Sequence, residues 1–477
     1  MPDVRAVLAA QRGLVEAPAG CGKTQLIVEV LAEPTELPIL VLTHTSAGVA
    51  ALRNRLLARG IPKNSHKVAT IDSWVMHTIR CYPERAGYVV DPENINYIAI
   101  REAATRLCNN GAINSILRAN YGRLLVDEYQ DCSVSQHAFI TALSNILPTV
   151  VFGDPLQAIF GFGRDLLPHW QNEILAYFPH LGTLDTPWRW NNVGAGELGT
   201  WLLQVRQHLL AGQVIDLRTC PNFVEWIPTP NNPSELIQTQ VNTQFAINGQ
   251  FPNDKILIIG DSINADTRHS YASRARGVHV IETVELRDTL DHIRNMTGQT
   301  GAQLLEATVN FLRGVMVNVN RDRLLARTQS IMNGRNRTPP TVQENAAVRV
   351  CQNGGYSEAL VFIDAMSQDR DRRVYRDVPY RMVVEALKRV STDLSLNLID
   401  VFISMREQRR HAGRAVSGRS IGSTLLLKGL EADHTIVLDA DNPGRGRRMN
   451  AKHLYVALTR GAKSVKVFSR SPILPST

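Results

Sequence analysis

The chain has 477 residues, of which 44% are apolar and 20% charged, and this composition excludes a wholly disordered or fibrous protein. At roughly 150 residues per domain, the length predicts about three domains. A formal net charge of +8 makes nucleic acid a leading candidate partner, although ribosome contact or a basic surface without function would give the same sum.

The sequence lacks the marks of membrane insertion and of metal-binding cysteine pairs. It contains no run of eighteen apolar residues, and residues 1–13 lack the apolar centre of a signal peptide. The six cysteines form no CxxC pair. These features predict a cytoplasmic protein with no membrane span and no zinc or iron–sulfur site.

The first part of the chain alternates apolar runs of strand length with stretches of helical period. The predicted strands are 14–16, 39–44, 67–71, 123–128 and 149–153, and the predicted helices are 24–31, 47–58 and 135–146. This alternation is typical of a parallel α/β sheet. Residues 74–122 break the alternation and predict a small, mostly helical insertion.

A second series of apolar runs predicts a second sheet. Its predicted strands are 255–260, 424–427, 434–439 and 465–468. The long segment 282–419 between them predicts a helical insertion, and the Asn- and Gln-rich stretch 238–250 predicts a loop. Residues 370–420 carry twelve Lys or Arg against six Asp or Glu, which fits either a phosphate-tracking surface or a solvated helix face.

The strongest local motif is the segment 17–24, APAGCGKT, between a predicted strand and a predicted helix. Small residues in such a loop let backbone N–H groups face phosphate oxygens, while Lys23 can reach the β and γ phosphates and Thr24 can hold Mg²⁺. Ala17 stands where the GxxxxGK[ST] pattern has its first glycine. The motif predicts an ATP-phosphate site, with an ordinary strand-to-helix turn as the alternative.

Two more predicted strands end in polar residues. Asp127 and Glu128 end the predicted strand 123–128, where Asp127 could hold magnesium and Glu128 could polarise an attacking water, or both could cap a helix. Asp154 and Gln157 follow the strand 149–153. A glutamine at such a strand end can bond the γ-phosphate or its attacking water.

Two arginines beside further motifs complete the list of candidate residues. Arg189 stands between two tryptophans, which could equally be core residues. Near the carboxyl end, the sequence 428–431, KGLE, precedes a predicted strand, and the helix predicted over 454–460 ends in Arg460. An arginine there could act as an arginine finger or could be a surface residue.

In this order the segments resemble the motifs of superfamily 1 helicases of the UvrD/Rep type. The matching segments are 17–24 for motif I, 43–51 for Ia, 70–73 for Ib, 127–131 for II, 153–162 for III, 188–189 for IV, 423–431 for V and 456–460 for VI. The resemblance implies an α/β fold with two RecA-like parallel-sheet domains and mostly helical accessory insertions. The implied divisions are 1–190 for the ATP-binding domain 1A with its insertion at 74–122, 191–281 and 420–477 for domain 2A, and 282–419 for insertion 2B.

The resemblance also implies a role for each matched residue, in an ATP hydrolase that moves on single-stranded DNA in the 3′ to 5′ direction. The implied catalytic residues are Glu128, Gln157, Arg189 and Arg460. The implied ATP-binding residues are Ala17, Gly20, Cys21, Gly22, Lys23, Thr24, Gln25, Trp188, Gly429 and Glu431, with Mg²⁺ held by Thr24 and Asp127. The implied DNA-binding residues are His44, Thr45, Thr70, Ser73, Phe160 and Phe162, with bases stacked on the two phenylalanines.

The chain departs from the family pattern mainly in the segments that would contact DNA. Asp72 replaces the usual histidine of motif Ib, Leu425 replaces the histidine of motif V, and Gly163 replaces the arginine of motif III. Gln25 stands where many relatives carry an arginine, and Gln11 lies nearer to the loop than the family's adenine-reading glutamine. The hydrolytic set is complete, whereas the DNA-coupling set is eroded.

The size of the chain points to a partner. The first insertion has 49 residues, and 17 residues follow Arg460, so we expect no fused nuclease domain. In extent the chain is similar to the helicase-like subunit of Gabija-type antiphage defence systems, which pairs with an OLD-family nuclease. That similarity implies a hetero-oligomer with a partner nuclease.

Two other functions stay open on the residues alone. The eroded motifs also fit a regulatory subunit that senses ATP and DNA ends and activates a nuclease with little unwinding. Separately, the sequence 258–262, IIGDS, resembles the first block of GDS-type esterases, with Ser262 as nucleophile and Asp266 and His269 as the nearest Asp-x-x-His match.

Overall fold

The computed structural model describes residues 2–91, 95–160, 165–411, 418–441 and 449–475. The strands are β1 (Arg12–Glu16), β2 (Ile39–Thr43), β3 (His66–Thr70), β4 (Arg123–Val126), β5 (Thr149–Gly153), β6 (His180–Thr183), β7 (Ile215–Asp216), β8 (Val224–Pro228), β9 (Ile256–Ile259), β10 (His279–Val280), β11 (Arg419–Gly422), β12 (Ala432–Val437), β13 (Gly461–Ser469) and β14 (Ile473–Leu474).

Helices connect most of these strands. They are α1 (Val4–Ala9), α2 (Lys23–Ala32), α3 (Ser46–Ala58), α4 (Ile71–Cys81), α5 (Pro83–Ala86), α6 (Tyr97–Asn109), α7 (Asn114–Asn120), α8 (Val134–Ser144), α9 (Leu175–Tyr177), α10 (Trp188–Asn191), α11 (Gly196–Leu210), α12 (Pro233–Gln250), α13 (Ala265–Arg274), α14 (Arg287–Met296), α15 (Gly301–Val315), α16 (Arg321–Met332), α17 (Val342–Asn353), α18 (Tyr356–Ser367), α19 (Asp377–Thr392), α20 (Leu398–His411), α21 (Thr424–Leu427) and α22 (Ala451–Leu458). Short 3₁₀ turns lie at Tyr129–Asp131, Pro155–Gln157 and Leu217–Thr219.

Two six-stranded sheets confirm the predicted α/β class. The first has the order β3-β2-β4-β5-β1-β6, and all of its neighbouring strands are parallel. The second has the order β10-β11-β9-β12-β13-β8, with parallel pairing in β10–β11, β11–β9, β12–β13 and β13–β8. Strands β7 and β14 form a separate antiparallel pair.

The first sheet is buried on both faces, as parallel sheets generally are. Leu14 of β1 belongs to an apolar cluster with residues of α4, α6 and α8, while its neighbour Val15 belongs to a second cluster with residues of α2 and α3. Because successive side chains of a strand point to opposite faces, helices cover both sides of the sheet.

The chain packs as two compact units, one formed by residues 1–229 with 428–477 and the other by 230–427. The second unit contains helices α14 to α20, whose buried residues from Leu286 to Phe402 form one apolar cluster. The predicted helical character is confirmed by helices α14 to α20 within 282–411, and the described residues of 74–122 contain helices α4 to α7.

Two predictions of local structure were wrong. Residues 238–250 belong to α12 rather than to a loop, because Asn232 caps the helix, Pro233 occupies its first turn, and Gln240, Val241, Gln244 and Ile247 are buried at helical spacing. Residues 424–427 form α21 rather than a strand, and the strand lies just before them as β11. The hydroxyl of Ser423 accepts a hydrogen bond from the Leu426 N–H and so favours the helical turn.

The described residues contain no helix that is both long and apolar enough to cross a membrane.

Candidate nucleotide and nucleic-acid site

The loop after β1 and the start of α2 have the backbone of a phosphate-binding loop. Gly20 and Gly22 adopt left-handed conformations, with φ of 71° and 89°. A Cβ at Gly20 would lie 2.6 Å from Cζ3 of Trp190, so a side chain there would also clash. Ala17 is buried and donates its N–H to the Gly153 carbonyl at 2.9 Å, which ties the loop to β5.

Lys23 begins α2 and points at the residues that follow β4. Its Nζ lies 3.0 Å from Asp127 Oδ1 and also contacts Glu128 Oε1. Burial alone would lower the pKa of Lys23, but the two carboxylates outweigh it and raise that pKa, so the side chain stays cationic. Burial would raise the pKa of Glu128, yet Lys23 and Lys428 lower it to about 2, so this carboxylate stays ionised.

The strand order explains why these residues meet. Strands β4, β5 and β1 are neighbours, so their carboxyl ends bring Asp127, Asp154 and the loop 17–24 to one edge of the sheet. Glu128 has a φ of 56°, a conformation that is uncommon outside glycine. Such backbone strain is concentrated at functional sites.

The donor set fits Mg²⁺ shared with a nucleotide. Mg²⁺ in phosphate sites takes one or two protein oxygens and completes its shell with water and phosphate. Thr24, in the first turn of α2, and Asp127, after β4, offer a hydroxyl and a carboxylate. Among the described residues no group of three or more His, Cys, Asp or Glu could hold a metal ion.

A buried arginine that the sequence analysis missed holds the end of β5. Arg206 of α11 lies 3.1 Å from Asp154 Oδ1 and also pairs with Glu16, and its side chain is 2% exposed. Asp154 in turn accepts a hydrogen bond from Gln157 Nε2 at 3.1 Å. Arg206 sits in an apolar helix with no motif around it, so sequence alone offered no signal for this role.

Arg189 and Arg460 lie beside the phosphate-binding loop. The Arg189 N–H donates to the Gly20 carbonyl at 3.1 Å, and its guanidinium contacts Glu431 and the carbonyl of Thr459. Arg460 is 3% exposed and donates to the Val456 carbonyl at 2.9 Å. Burial and the nearby Arg189 lower the pKa of Arg460 to about 10, which leaves it cationic at neutral pH.

The helix that precedes Arg460 also contacts the loop. Tyr455 of α22 accepts a hydrogen bond from the Ala19 N–H at 3.2 Å, and Trp190 Nε1 donates to the Gly461 carbonyl at 2.9 Å. The segments predicted as motifs I, IV and VI are therefore packed against one another within the first unit. A buried cationic pair beside a loop of N–H groups suits a polyanionic ligand.

The other residues predicted to bind ATP take several environments. Cys21 is buried in the loop, and burial followed by Asp154 raises its pKa to about 12. Gln25 is half-buried and donates to Glu29 at 2.6 Å. Trp188 is 50% exposed next to Gly22, and Gly429 has a φ of 80° with open space around it.

The residues predicted to bind DNA follow β2 and β3. The hydroxyls of Thr45 and Thr70 each cap a helix, accepting hydrogen bonds at 3.1 Å from the N–H groups of Gly48 and Ser73. Ser73 donates its hydroxyl to the Thr70 carbonyl at 3.0 Å. These contacts are what strand-to-helix turns require, whether or not DNA binds.

An aromatic pair stands beside those caps. The rings of His44 and Phe160 lie 5.9 Å apart, and burial lowers the pKa of His44, which is therefore neutral at pH 7. His44 Nδ1 is buried without a hydrogen-bond partner in the described part of the chain. Phe162, the second predicted stacking residue, and Gly163 lie outside the described residues.

The negative charge of Asp72 is neutralised locally. Both of its carboxylate oxygens accept hydrogen bonds at 2.7 Å from Arg101, which also lies 2.9 Å from Asp165. Arg101 comes from α6, inside the helical segment 74–122. The acidic replacement in motif Ib is therefore matched by an arginine that the sequence analysis did not single out.

The esterase alternative receives no support from the geometry of the second unit. The Ser262 hydroxyl shares a hydrogen bond with the Thr424 hydroxyl at 3.2 Å, and no hydrogen bond joins Ser262 to His269 among the described residues. Burial, with a contribution from Arg376, lowers the pKa of His269 to about 3.

Known proteins resemble this chain in one segment of sequence. Residues 93–165 match the UvrD/REP helicase N-terminal domain family, and this range contains the whole of the segments predicted as motifs II and III. No curated protein matches the chain.

Among solved structures, the Arterivirus nonstructural protein 10 helicase with DNA shares 14% identity at a TM-score of 0.27, covering 54% of this chain and 48% of its own. A crystal structure of Arterivirus nonstructural protein 10 (helicase) shares 11% identity at a TM-score of 0.30, covering 98% of this chain and 61% of its own. The chain thus spans about half to three-fifths of the length of these two structures. The similarity to the UvrD/REP helicase N-terminal domain therefore lies in residues 93–165, the segment that contains Asp127 and Glu128, the partners of Lys23.

Proposed function

We propose that this chain is an ATP-dependent translocase that couples ATP hydrolysis to 3′ to 5′ movement along single-stranded DNA. The observation that carries the proposal is the grouping of Lys23, Asp127, Glu128, Arg189 and Arg460 around one loop of the first unit. In this proposal Lys23 and the loop N–H groups bind the phosphates, and Thr24 and Asp127 hold Mg²⁺, which supplies charge neutralisation to the phosphates.

Residues of this chain would activate the attacking water, stabilise the charge on the γ-phosphate and bind the base and the ribose. Glu128 is ionised and accepts a proton from the attacking water. Arg189 and Arg460 bring cationic charge to the γ-phosphate, and Gln157 orients the water or the phosphate beside them. Trp188, half exposed next to Gly22, offers a face for the base, and Glu431 offers a carboxylate for the ribose.

Single-stranded DNA would bind through the residues after β2, β3 and β5. Phe160 provides a stacking surface for bases, with Phe162 as a second one, and His44, Thr45, Thr70 and Ser73 lie along the same edge of the sheet. We also propose that the protein works in the cytoplasm with a partner nuclease of the OLD family, in DNA processing or antiphage defence.

The direction of movement can be tested by displacement of streptavidin from biotinylated oligonucleotides. A 3′ to 5′ motor displaces streptavidin from a 5′ biotin in the presence of ATP and leaves a 3′ biotin occupied. Lys23→Ala serves as the inactive control. Displacement from the 3′ end alone would contradict the proposed polarity, and equal displacement by Lys23→Ala would contradict a role for ATP.

A regulatory subunit that senses ATP and DNA ends is the second candidate. The observation in its favour is that the hydroxyls of Thr45 and Thr70 cap helices and that the hydroxyl of Ser73 donates to the Thr70 carbonyl. Their capacity to grip a moving strand is therefore reduced. A strand-displacement assay with the isolated protein separates the two functions: processive unwinding supports the motor, and DNA binding without unwinding supports the sensor.

A further inference from the structure

Lys428 has a buried ammonium group to which the proposed function gives no role. Its side chain is 7% exposed, and its Nζ donates 2.6 Å to Asp131 Oδ2 and also to Oδ1 of the same carboxylate. The same Nζ donates to the backbone carbonyl of Gln157. The centre of the Phe160 ring lies 4.9 Å from it.

These contacts join the turns that follow two neighbouring strands. Asp131 closes the 3₁₀ turn that begins after Glu128, and its N–H donates to the Glu128 carbonyl at 3.0 Å. Gln157 closes the turn after β5, where its N–H donates to the Asp154 carbonyl at 2.9 Å. The ammonium group of Lys428 therefore binds the last residue of each of these two turns.

The same ammonium group also faces the residues proposed to bind DNA. Phe160 lies three residues beyond Gln157, and its ring contacts that of His44. The Lys428 ammonium is buried and the Phe160 ring is half-buried, and a cation is attracted to an aromatic face more strongly as water is removed from around the pair. A movement of the Phe160 ring would therefore disturb the Lys428 ammonium, which also binds the Asp131 carboxylate and the Gln157 carbonyl.

Lysine suits this position better than arginine does. Its ammonium is a compact point charge with three donors, whereas a guanidinium is a flat fork that matches one planar acceptor. Here the acceptors are two carboxylate oxygens and one backbone carbonyl, with a ring on another side. Gly429, with its φ of 80°, turns the chain directly after Lys428 toward Glu431.

We propose that Lys428 is a positioning residue that transmits the stacking of a DNA base on Phe160 to Glu128 and Gln157, so that DNA accelerates ATP hydrolysis. This inference rests on the proposed function, because it concerns the coupling of the same two sites. It assigns Lys428 no contact with ATP or with DNA.

The test compares Lys428→Met with the control variant Lys466→Met, which removes another ion-paired lysine of the same unit, the partner of Glu225. ATPase rates are measured with and without oligo(dT), together with KM for ATP and Kd for oligo(dT). We expect Lys428→Met to lose about tenfold or more of the stimulation, while KM and Kd stay within about threefold of wild type. Lys466→Met should behave as wild type.

Lys428→Met alone leaves the buried Asp131 carboxylate without its cation and could therefore destabilise the fold. A second variant separates that loss of stability from a loss of coupling. Lys428→Met with Asp131→Asn removes both charges and should recover the wild-type melting temperature without recovering stimulation. Stimulation that survives in the folded variant would overturn the role of Lys428, as would a loss fully explained by weaker DNA binding. If the proposed function itself were wrong, oligo(dT) would not stimulate the ATPase rate of the wild-type chain.

Discussion

Five neighbouring strands of the first sheet end at the same edge, yet the residues beyond them are used in two different ways. After β4, β5 and β1, the polar side chains of Asp127, Glu128 and Lys23 contact one another across the edge and are largely buried. After β2 and β3, the hydroxyls of Thr45 and Thr70 bond to the backbone of their own helices.

The two groups of contacts differ in what the fold needs from them. Charged side chains that meet across a sheet edge lose hydration, and this loss is offset only where their partners are well placed, so the cluster around Lys23 is the arrangement expected of the proposed ATP site. Capping contacts are local and occur at most helix starts. On the proposed DNA side, Phe160 is the residue that offers a contact beyond helix capping.

The largest effect is expected from Arg460→Ala. Removal of an arginine finger lowers turnover by about 10³- to 10⁵-fold, because charge on the transferring phosphate loses its stabilisation. Steady-state ATPase assays would measure the loss, with Arg218→Ala, an exposed arginine paired to Asp216, as the matched control. Arg460→Ala that hydrolyses ATP at the wild-type rate would remove Arg460 from the site.

A slightly smaller loss is expected from Glu128→Gln. A positioned general base contributes about 10²- to 10⁴-fold to a rate, and the amide cannot accept the proton. Single-turnover hydrolysis gives the rate, and a fluorescent ATP analogue reports whether binding persists. Glu29→Gln, which alters a carboxylate of the same unit that accepts a hydrogen bond from Gln25, is the control. If Glu29→Gln and Glu128→Gln were equally slow, the effect would not be specific to the base.

Phe160→Ala tests whether the residues that follow β5 bind single-stranded DNA. A base stacked on an aromatic ring is worth about 1–3 kcal/mol, so Kd for oligo(dT) should rise about 5- to 150-fold at fixed salt. Fluorescence anisotropy with labelled oligo(dT) would measure it, and Phe160→Trp should retain the affinity. Unchanged binding by Phe160→Ala would leave the DNA side without its main contact.

The smallest effect is expected from Thr70→Ala. Loss of a helix-capping hydroxyl costs about 0.5–2 kcal/mol of stability, and Thr70→Ser should restore it because serine caps equally well. Thermal or urea unfolding would measure the change. A large loss of DNA affinity in Thr70→Ala without any loss of stability would show that the hydroxyl serves DNA rather than helix α4.

The sequence predicted the buried strands β1, β2, β4 and β5 well because they are largely apolar runs next to recognisable motifs, whereas it missed β6, whose residues are exposed or half-buried. Sequence-based prediction of secondary structure failed in short apolar stretches and in amide-rich stretches. Their hydrophobic period is too weak to distinguish a helix from a strand or a loop. The run 424–427 is too short to separate a strand from a helix, and 238–250 contains glutamines that pack inside a helix.

The candidate site was predictable only in its motif residues. Lys23, Asp127 and Glu128 lie within recognisable segments, and the parallel order of the strands brings them together. Arg206 and Arg101 come from helices with no motif, and each acquires its partner only through the fold. Partners separated by many residues cannot be read from a single sequence, because their meeting depends on how helices pack against the sheet.

The measurement that tests the central claim most directly is the ATPase rate of the purified chain with and without single-stranded DNA, using Lys23→Ala as the blank. The account predicts stimulation of about tenfold or more, equivalent to ~1.4 kcal/mol of activation free energy. DNA that binds while hydrolysis stays at the level of the blank would contradict a motor and favour the sensor.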